Sequence, residues 1–236
     1  MAIVINGSGT VTGISVGGLP DDIVDAGTLA DDAVGLAQMA AGTDGNVITY
    51  DTSGNPAVVA TGTSGHFLKS AGAGAVPTFA AGGITEADLW RLTSNFTGDA
   101  DPIAANLERA DTDDFEKIGT GVSHSSGTWS FPSTGLWWVL VNWGVEVDST
   151  ADPYMYINYT SDNGSAWSQA LKLYAGERDG SVTKMTAGGH QFFNITDVSN
   201  DKLQISIAGT GDNVDTMSAS DRNWTYFTFI KLGDSQ

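Results

Sequence analysis

Between Leu136 and Asp148 the chain alternates with a period of two. Trp137, Val139, Val141, Trp143, Val145 and Val147 fall on one face of an extended strand; Trp138, Leu140, Asn142, Gly144 and Glu146 fall on the other. The first face is predicted to line the core of a sandwich. The second is apolar only near its start, which predicts partial burial against another subunit. Alternating or β-branched runs predict further strands at Thr128–Phe131, Tyr154–Tyr159, Leu171–Tyr174, Thr183–Ile195, Lys202–Ala208 and Trp224–Leu232. Turn-forming clusters separate them: Pro132-Ser133-Thr134-Gly135, Asp162-Asn163-Gly164-Ser165, Asp179-Gly180-Ser181 and Gly209 to Asn213. Short strands, regular turns and little helix predict an all-β sandwich.

Upstream of residue 84 the pattern changes. Residues 1–83 hold sixteen of the thirty glycines, one lysine (Lys69), no arginine and no tryptophan. Two internal repeats stand out there. DDIVDAGTLA (21–30) is followed by DDAVGLAQMA (31–40), and GTDGNVITYDTSGNPAVVA (42–60) by GTSGHFLKSAGAGAVPTFA (62–80). The longer unit reads as a hairpin, opened by Val47-Ile48 in one copy and Phe67-Leu68 in the other. Ile3-Val4-Ile5 and Thr10-Val11-Thr12 flank Asn6-Gly7-Ser8-Gly9, another hairpin signal. The Asp-rich decapeptides predict single helical turns capped by Asp21 and Asp31. No such unit buries enough surface to stand alone. The expected solution is a stalk of several parallel chains meeting at their apolar residues; the competing reading is a Gly-rich linker. The chain therefore divides into a thin arm, 1–83, and a compact β head, 84–236. That is the layout of a fibrous attachment protein.

Charge narrows the partners. The formal net charge is −18, divided as −6 in the arm and −12 in the head. Such a chain is not expected to bind a phosphate backbone, and no nucleic-acid partner is predicted. With no cysteine there is no disulfide, thiolate nucleophile or Cys-ligated zinc. The start, MAIVINGSGTVTG, lacks a basic region and a long apolar run, so neither a secretory signal nor membrane insertion is expected.

Two stretches carry a resemblance. SGTWSFPSTGLWWVLVNWGVEV is similar to the early core strands of the complement-q/tumour-necrosis-factor jelly roll, where a Phe-Pro-x-x-Gly turn leads into an aromatic-rich strand. The closing WTYFTFIKLGD is similar to that family's terminal strand, and the likeness extends over residues 96 to 234. INGSGTVTGISVGGLPDD and GTSGHFLKSAGAGAVPTFAAGG resemble stalk segments of bacteriophage tail fibres, including those of cyanobacterial phages. The resemblance implies a homotrimeric jelly-roll head on a stalk. The chain departs from the vertebrate branch in lacking a collagen repeat, cysteines and a signal peptide.

Candidate chemistry is sparse. His66, His124 and His190 have no metal-ligand spacing, and no Walker, dinucleotide or Gly-x-Ser-x-Gly motif is present. Asp111-Thr112-Asp113-Asp114 and Asp212-Asn213-Val214-Asp215 offer oxygens suited to calcium, but solvated turn acids are the preferred reading, and no metal or cofactor is expected. Trp138 is assigned to packing at a trimer interface. Trp167, in the polar turn TSDNGSAWSQ, is the candidate contact residue, with Arg178, Asp179 and Arg222 from other loops. The expected protein is a homotrimeric virion fibre. Its arm would join other virion proteins and its head would bind a host glycan or envelope protein. A capsid decoration protein is the rival, and a small polysaccharide depolymerase the third class; neither enzyme activity nor a catalytic residue is expected.

Overall fold

The computed structural model describes residues 40–111, 117–147, 152–176, 183–211 and 213–236. The hairpin expected at 3–12 and the helical turns expected at 21–40 lie outside them, as do Arg178 and Asp179. The chain divides into two units: a smaller one that includes the described residues up to Thr63 and again Leu68–Phe79, and a larger one of Ser64–Phe67 and Ala80–Gln236.

The two long repeats are hairpins, as the sequence predicts. In the first, β1 (Val47–Tyr50) pairs antiparallel with β2 (Pro56–Val59), with Val47 opposite Val59 and Tyr50 opposite Pro56. Asp51 makes the turn: its Oδ1 accepts the N–H groups of Ser53 (2.8 Å) and Asn55 (2.9 Å). In the second, β3 (His66–Lys69) pairs with β4 (Thr78–Ala81). Several apolar residues of both repeats are exposed, with Ile48 at 58%, Val58 at 58% and Phe67 at 67%, while Val59 is buried.

The remaining strands build a sandwich. They are β5 (Ala87–Leu92), β6 (Phe96–Thr97), β7 (Leu107–Arg109), β8 (Ser123–Ser125), β9 (Thr128–Ser130) and β10 (Gly135–Val147). Then follow β11 (Tyr154–Thr160), β12 (Ser168–Tyr174), β13 (Thr183–Ile195), β14 (Lys202–Ala208), β15 (Val214–Thr216) and β16 (Tyr226–Gly233). The front sheet centres on β10. One edge of β10 pairs along its whole length with β13; the other pairs with β16 and then β15, and β16 continues to β5 and β7. The back sheet runs β12-β11-β14-β9-β8. From β9 onward the chain passes to the front (β10), the back (β11, β12), the front (β13), the back (β14) and the front again (β16). That repeated crossing makes the sandwich jelly-roll-like.

The core lies where the sequence puts it. All six residues on the inner face of β10, from Trp137 to Val147, are fully buried, against Met155, Ile157, Leu203, Ile205 and Ile207 of the back sheet. Two of the core tryptophans keep their polar edges satisfied: Trp137 Nε1 donates to Ser133 O (3.2 Å) and Trp143 Nε1 to Thr216 Oγ1 (3.1 Å). Trp129 of β9 bridges the sheets, edge-on to Trp90 at 5.2 Å and tilted against Phe229 at 4.9 Å.

The loop after β13 is held by one carboxylate. Asp201 is buried and accepts from Thr196 N (2.7 Å), Asp197 N (2.9 Å) and Tyr159 Oη (2.7 Å). Burial pushes its pKa up, but the hydrogen bonds from Asp197 N, Tyr159 and Thr196 outweigh it and hold the carboxyl below its usual range. Burial first, then the Asp201 carboxylate, pushes the Tyr159 hydroxyl up to about 12. Because the folded-state pKa of Asp201 is depressed, its stabilisation is present above the unfolded value of about 3.9 and is lost as pH falls through the folded value. The urea midpoint is expected to drop on acidification below about pH 4, and Asp201→Asn, weaker at neutral pH, to show a shallower drop.

Candidate functional site

Trp167 lies in the loop before β12, as the sequence predicts, but its indole leans on its own loop. The ring edge stands 3.5 Å from where a side chain on Gly164 would begin, and the residue is half-buried. Asp162 staples this loop, accepting from Ala166 N (2.9 Å) and Thr160 Oγ1 (2.6 Å), while Asn163 N reaches Asn200 O (3.0 Å). The hydrogen bond from Thr160, then that from Ala166 N, holds the Asp162 carboxyl below its ordinary value.

Arg222 lies elsewhere. It is in the loop from Met217 to Thr225, whose neck is fastened to Gly144: Met217 N donates to Gly144 O (2.8 Å), Gly144 N to Thr225 Oγ1 (3.1 Å), and Thr225 Oγ1 to Met217 O (2.7 Å). Gly144 is near the end of β10, whereas Asn200, which touches the Trp167 loop, follows the end of β13 that pairs with the start of β10. The two candidates therefore stand at opposite ends of the sandwich and do not form one small-ligand site. Arg222 is exposed and paired with Asp221 through Nε (3.0 Å) and Nη2 (2.7 Å), a surface pair that contributes little to stability.

Between these ends runs the outer face of the front sheet, ordered in cross-strand rows. Ile230, Trp138 and Phe192 make the first row, and Thr228, Leu140 and His190 the second. Phe192 is 52% exposed, and the His190 ring is edge-on to Trp138 at 5.7 Å. The next rows turn polar and small: Tyr226, Asn142 and Gly188, then Gly144 and Thr186, then Glu146 and Lys184. This gradient realises the half-apolar face expected from the sequence.

At the polar rows a cleft of about 350 Å³ opens, lined by Asn142, Gly144, Lys184, Met185, Thr186, Met217, Asn223 and Trp224. Asn142 Nδ2 donates to Trp224 O (2.8 Å), and Lys184 Nζ lies 5.6 Å from the Trp224 ring centroid and 3.7 Å from Glu146 Oε2. The sequence reading missed this cleft and placed Trp224 inside the last strand. In the structure β16 begins two residues later, because the Trp224 carbonyl is taken by a side chain and not by the ladder. Arg222, two residues before Trp224, is the one described residue of this end that the sequence analysis names as a contact.

Two described acids of the candidate calcium stretches make contacts within the fold. Asp111 pairs with Arg91 at 3.3 Å, and Asp215 accepts from the Thr97 hydroxyl. Among the described residues no group of three His, Asp or Glu is arranged to hold a metal ion.

No protein-family model matches the chain, and no curated protein sequence matches it. Solved structures do. Murine APRIL at pH 5.0 aligns at 8% identity with a TM-score of 0.46, covering 62% of this chain and 98% of that one. Eiger TNF from S. frugiperda aligns at 12% identity and 0.48, covering 65% and 96%. The globular domain of zebrafish complement 1qA aligns at 12% identity and 0.41, covering 64% and 99%. The chain is thus similar to tumour-necrosis-factor and complement-q heads, while the jelly-roll assignment rests on the strand order given above.

Proposed function

We propose that this chain is a non-catalytic virion fibre protein: a homotrimer whose repetitive arm joins the particle and whose jelly-roll head touches the host surface, at a glycan or an envelope protein. The observation that carries the reading is the pair of apolar rows around Trp138 and Phe192. One chain leaves Phe192 exposed and Trp138, Leu140 and Ile230 only half-buried, and it leaves Ile48, Val58, Phe67 and Leu68 of the arm hairpins exposed. Exposed apolar surface of this kind, rimmed by polar residues, marks an assembly face. Two further copies of the same chain are the occupants that would cover head and arm together. Three heads per fibre and several fibres per particle would then turn weak contacts into firm adhesion.

Host contact is assigned to the Arg222 end, because Trp167 at the other end is engaged with its own loop. Arg222→Ala is expected to weaken adsorption of particles to host cells, and Trp167→Ala to leave it near wild type. The reverse result would move the contact to the Trp167 end. Imaging of particles with a labelled antibody tests the fibre itself: label on projecting fibres is expected, whereas label spread evenly over the capsid would replace this reading with that of a decoration protein.

A further inference from the structure

We infer that the cleft at the polar end of the front sheet binds a single uncharged hexose unit; its biological setting rests on the host-glycan reading above, its ligand class on the geometry alone. The cleft exists because side chains are missing. Gly188 is the cross-strand partner of Asn142, and Gly144 that of Thr186. Gly188 leaves the floor bare beside Asn142, while Gly144 lets the Trp224 backbone close over the next row, its carbonyl 3.2 Å from where a side chain would begin. A side chain on Gly188 would begin 3.4 Å from Asn142 Oδ1, so that oxygen overhangs the floor. The Asn142 amide is fixed by the bond from Nδ2 to Trp224 O, and its Oδ1 accepts no hydrogen bond among the described residues. A half-buried acceptor left free over an open floor is arranged for a ligand hydroxyl.

The other walls fit the same ligand. The Trp224 indole supplies an apolar surface, while Thr186 and Asn223 bring a hydroxyl and an amide. A pyranose has an apolar C–H face and a rim of hydroxyls, the same division the cleft presents. The volume, about 350 Å³, is at the small end of ligand sites, which suits one such unit. Charge decides between neutral and acidic sugars. Among the described residues Lys184 is the one cation lining the cleft, it is already paired with Glu146, and the whole chain carries −18. An anionic sugar finds no uncompensated positive charge among the described lining residues. An uncharged one can still take hydrogen bonds from the ammonium. The apolar rows assigned to assembly lie further toward the start of β10.

The test is saturation-transfer NMR on the full chain, offered the methyl glycosides of glucose, galactose and mannose, and glucuronate. At least one neutral glycoside is expected to bind through its ring C–H protons, and more tightly than glucuronate. Gly188→Val, which fills the floor, is expected to weaken binding by about tenfold or more in Kd. Lys184→Met and Thr186→Val, both on exposed positions that leave the core untouched, are expected to weaken it severalfold. Trp167→Ala, at the other end, is expected to change nothing. Absence of transfer to every neutral glycoside, tighter binding of glucuronate, or full binding by all three cleft variants overturns the inference. If the variants lose sugar binding yet particles carrying them adsorb normally, the cleft stands and its link to host attachment fails.

Discussion

Phe192→Asp is expected to convert a trimer into a monomer without unfolding the head. Light scattering at micromolar concentration should report three chains for the wild type and one, 24.5 kDa, for the variant. The side chain is 52% exposed, so in the isolated subunit the change is a surface substitution, with a stability effect of about 0.5 kcal/mol or less. In the assembly it places a carboxylate beside Trp138 in an apolar row and repeats it in each copy. Desolvating those like charges costs several kcal/mol, enough to dissolve a moderate interface. The neighbouring residue supplies the contrast. Phe193 points inward and is 5% exposed, so Phe193→Ala is expected to destabilise the fold by about 3–5 kcal/mol. Wild-type assembly should also tighten with salt, since each chain contributes −18 and screening weakens the repulsion. A monomeric wild type would remove the trimer from the proposed function, and a trimeric Phe192→Asp would place the interface on another face.

The two faces of β10 were legible because nothing interrupts their alternation, and β13 and β14 match the expected Thr183–Ile195 and Lys202–Ala208 at both ends. β5 was not read. Its sequence, ADLWRL, puts two charged residues at positions that are buried, Asp88 at 1% and Arg91 at 2%, so the hydrophobic signal is broken where the burial is greatest. The partners that make this burial tolerable, Arg109 for Asp88 and Glu108 for Arg91, come from β7, itself too short to show a period. β8 and β15 are equally short, and β6 is shorter still. The site was less legible than the fold. The sequence places Trp167 and Arg222 in loops, but the end at which each loop emerges depends on how strands alternate between sheets. The cleft is harder still. Gly144 and Gly188 mean little singly; only the register shows that Gly188 leaves a hollow beside Asn142 and that Gly144, one row on, makes room for the Trp224 backbone that walls it.

The largest stability loss from a polar substitution is expected at the same concealed strand, with Asp88→Ala. The Asp88 carboxylate is buried and accepts three hydrogen bonds, from Arg109 Nε (2.8 Å), Arg109 Nη2 (3.0 Å) and Trp90 Nε1 (3.0 Å). The Arg109 guanidinium donates onward to Val122 O (2.9 Å) and lies 4.8 Å from the Trp90 ring centroid. One carboxylate thus ties β5 to β7 and both to the chain entering β8. Its removal leaves the indole N–H without an acceptor and Arg109 without its counter-charge. Breaking a buried pair from one side costs about 3–5 kcal/mol. Arg109 is 34% exposed and regains some hydration, so the lower end applies. At about 2–4 °C per kcal/mol for a domain of this size, the melting temperature is expected to fall by about 6–12 °C. Asp88→Ala combined with Arg109→Met is expected to lose less than the two single variants added together, because the double variant strands no charge. Additive losses in that cycle would mean that the two side chains stabilise the sheet separately, by packing, and that the pair is not what holds β5 to β7.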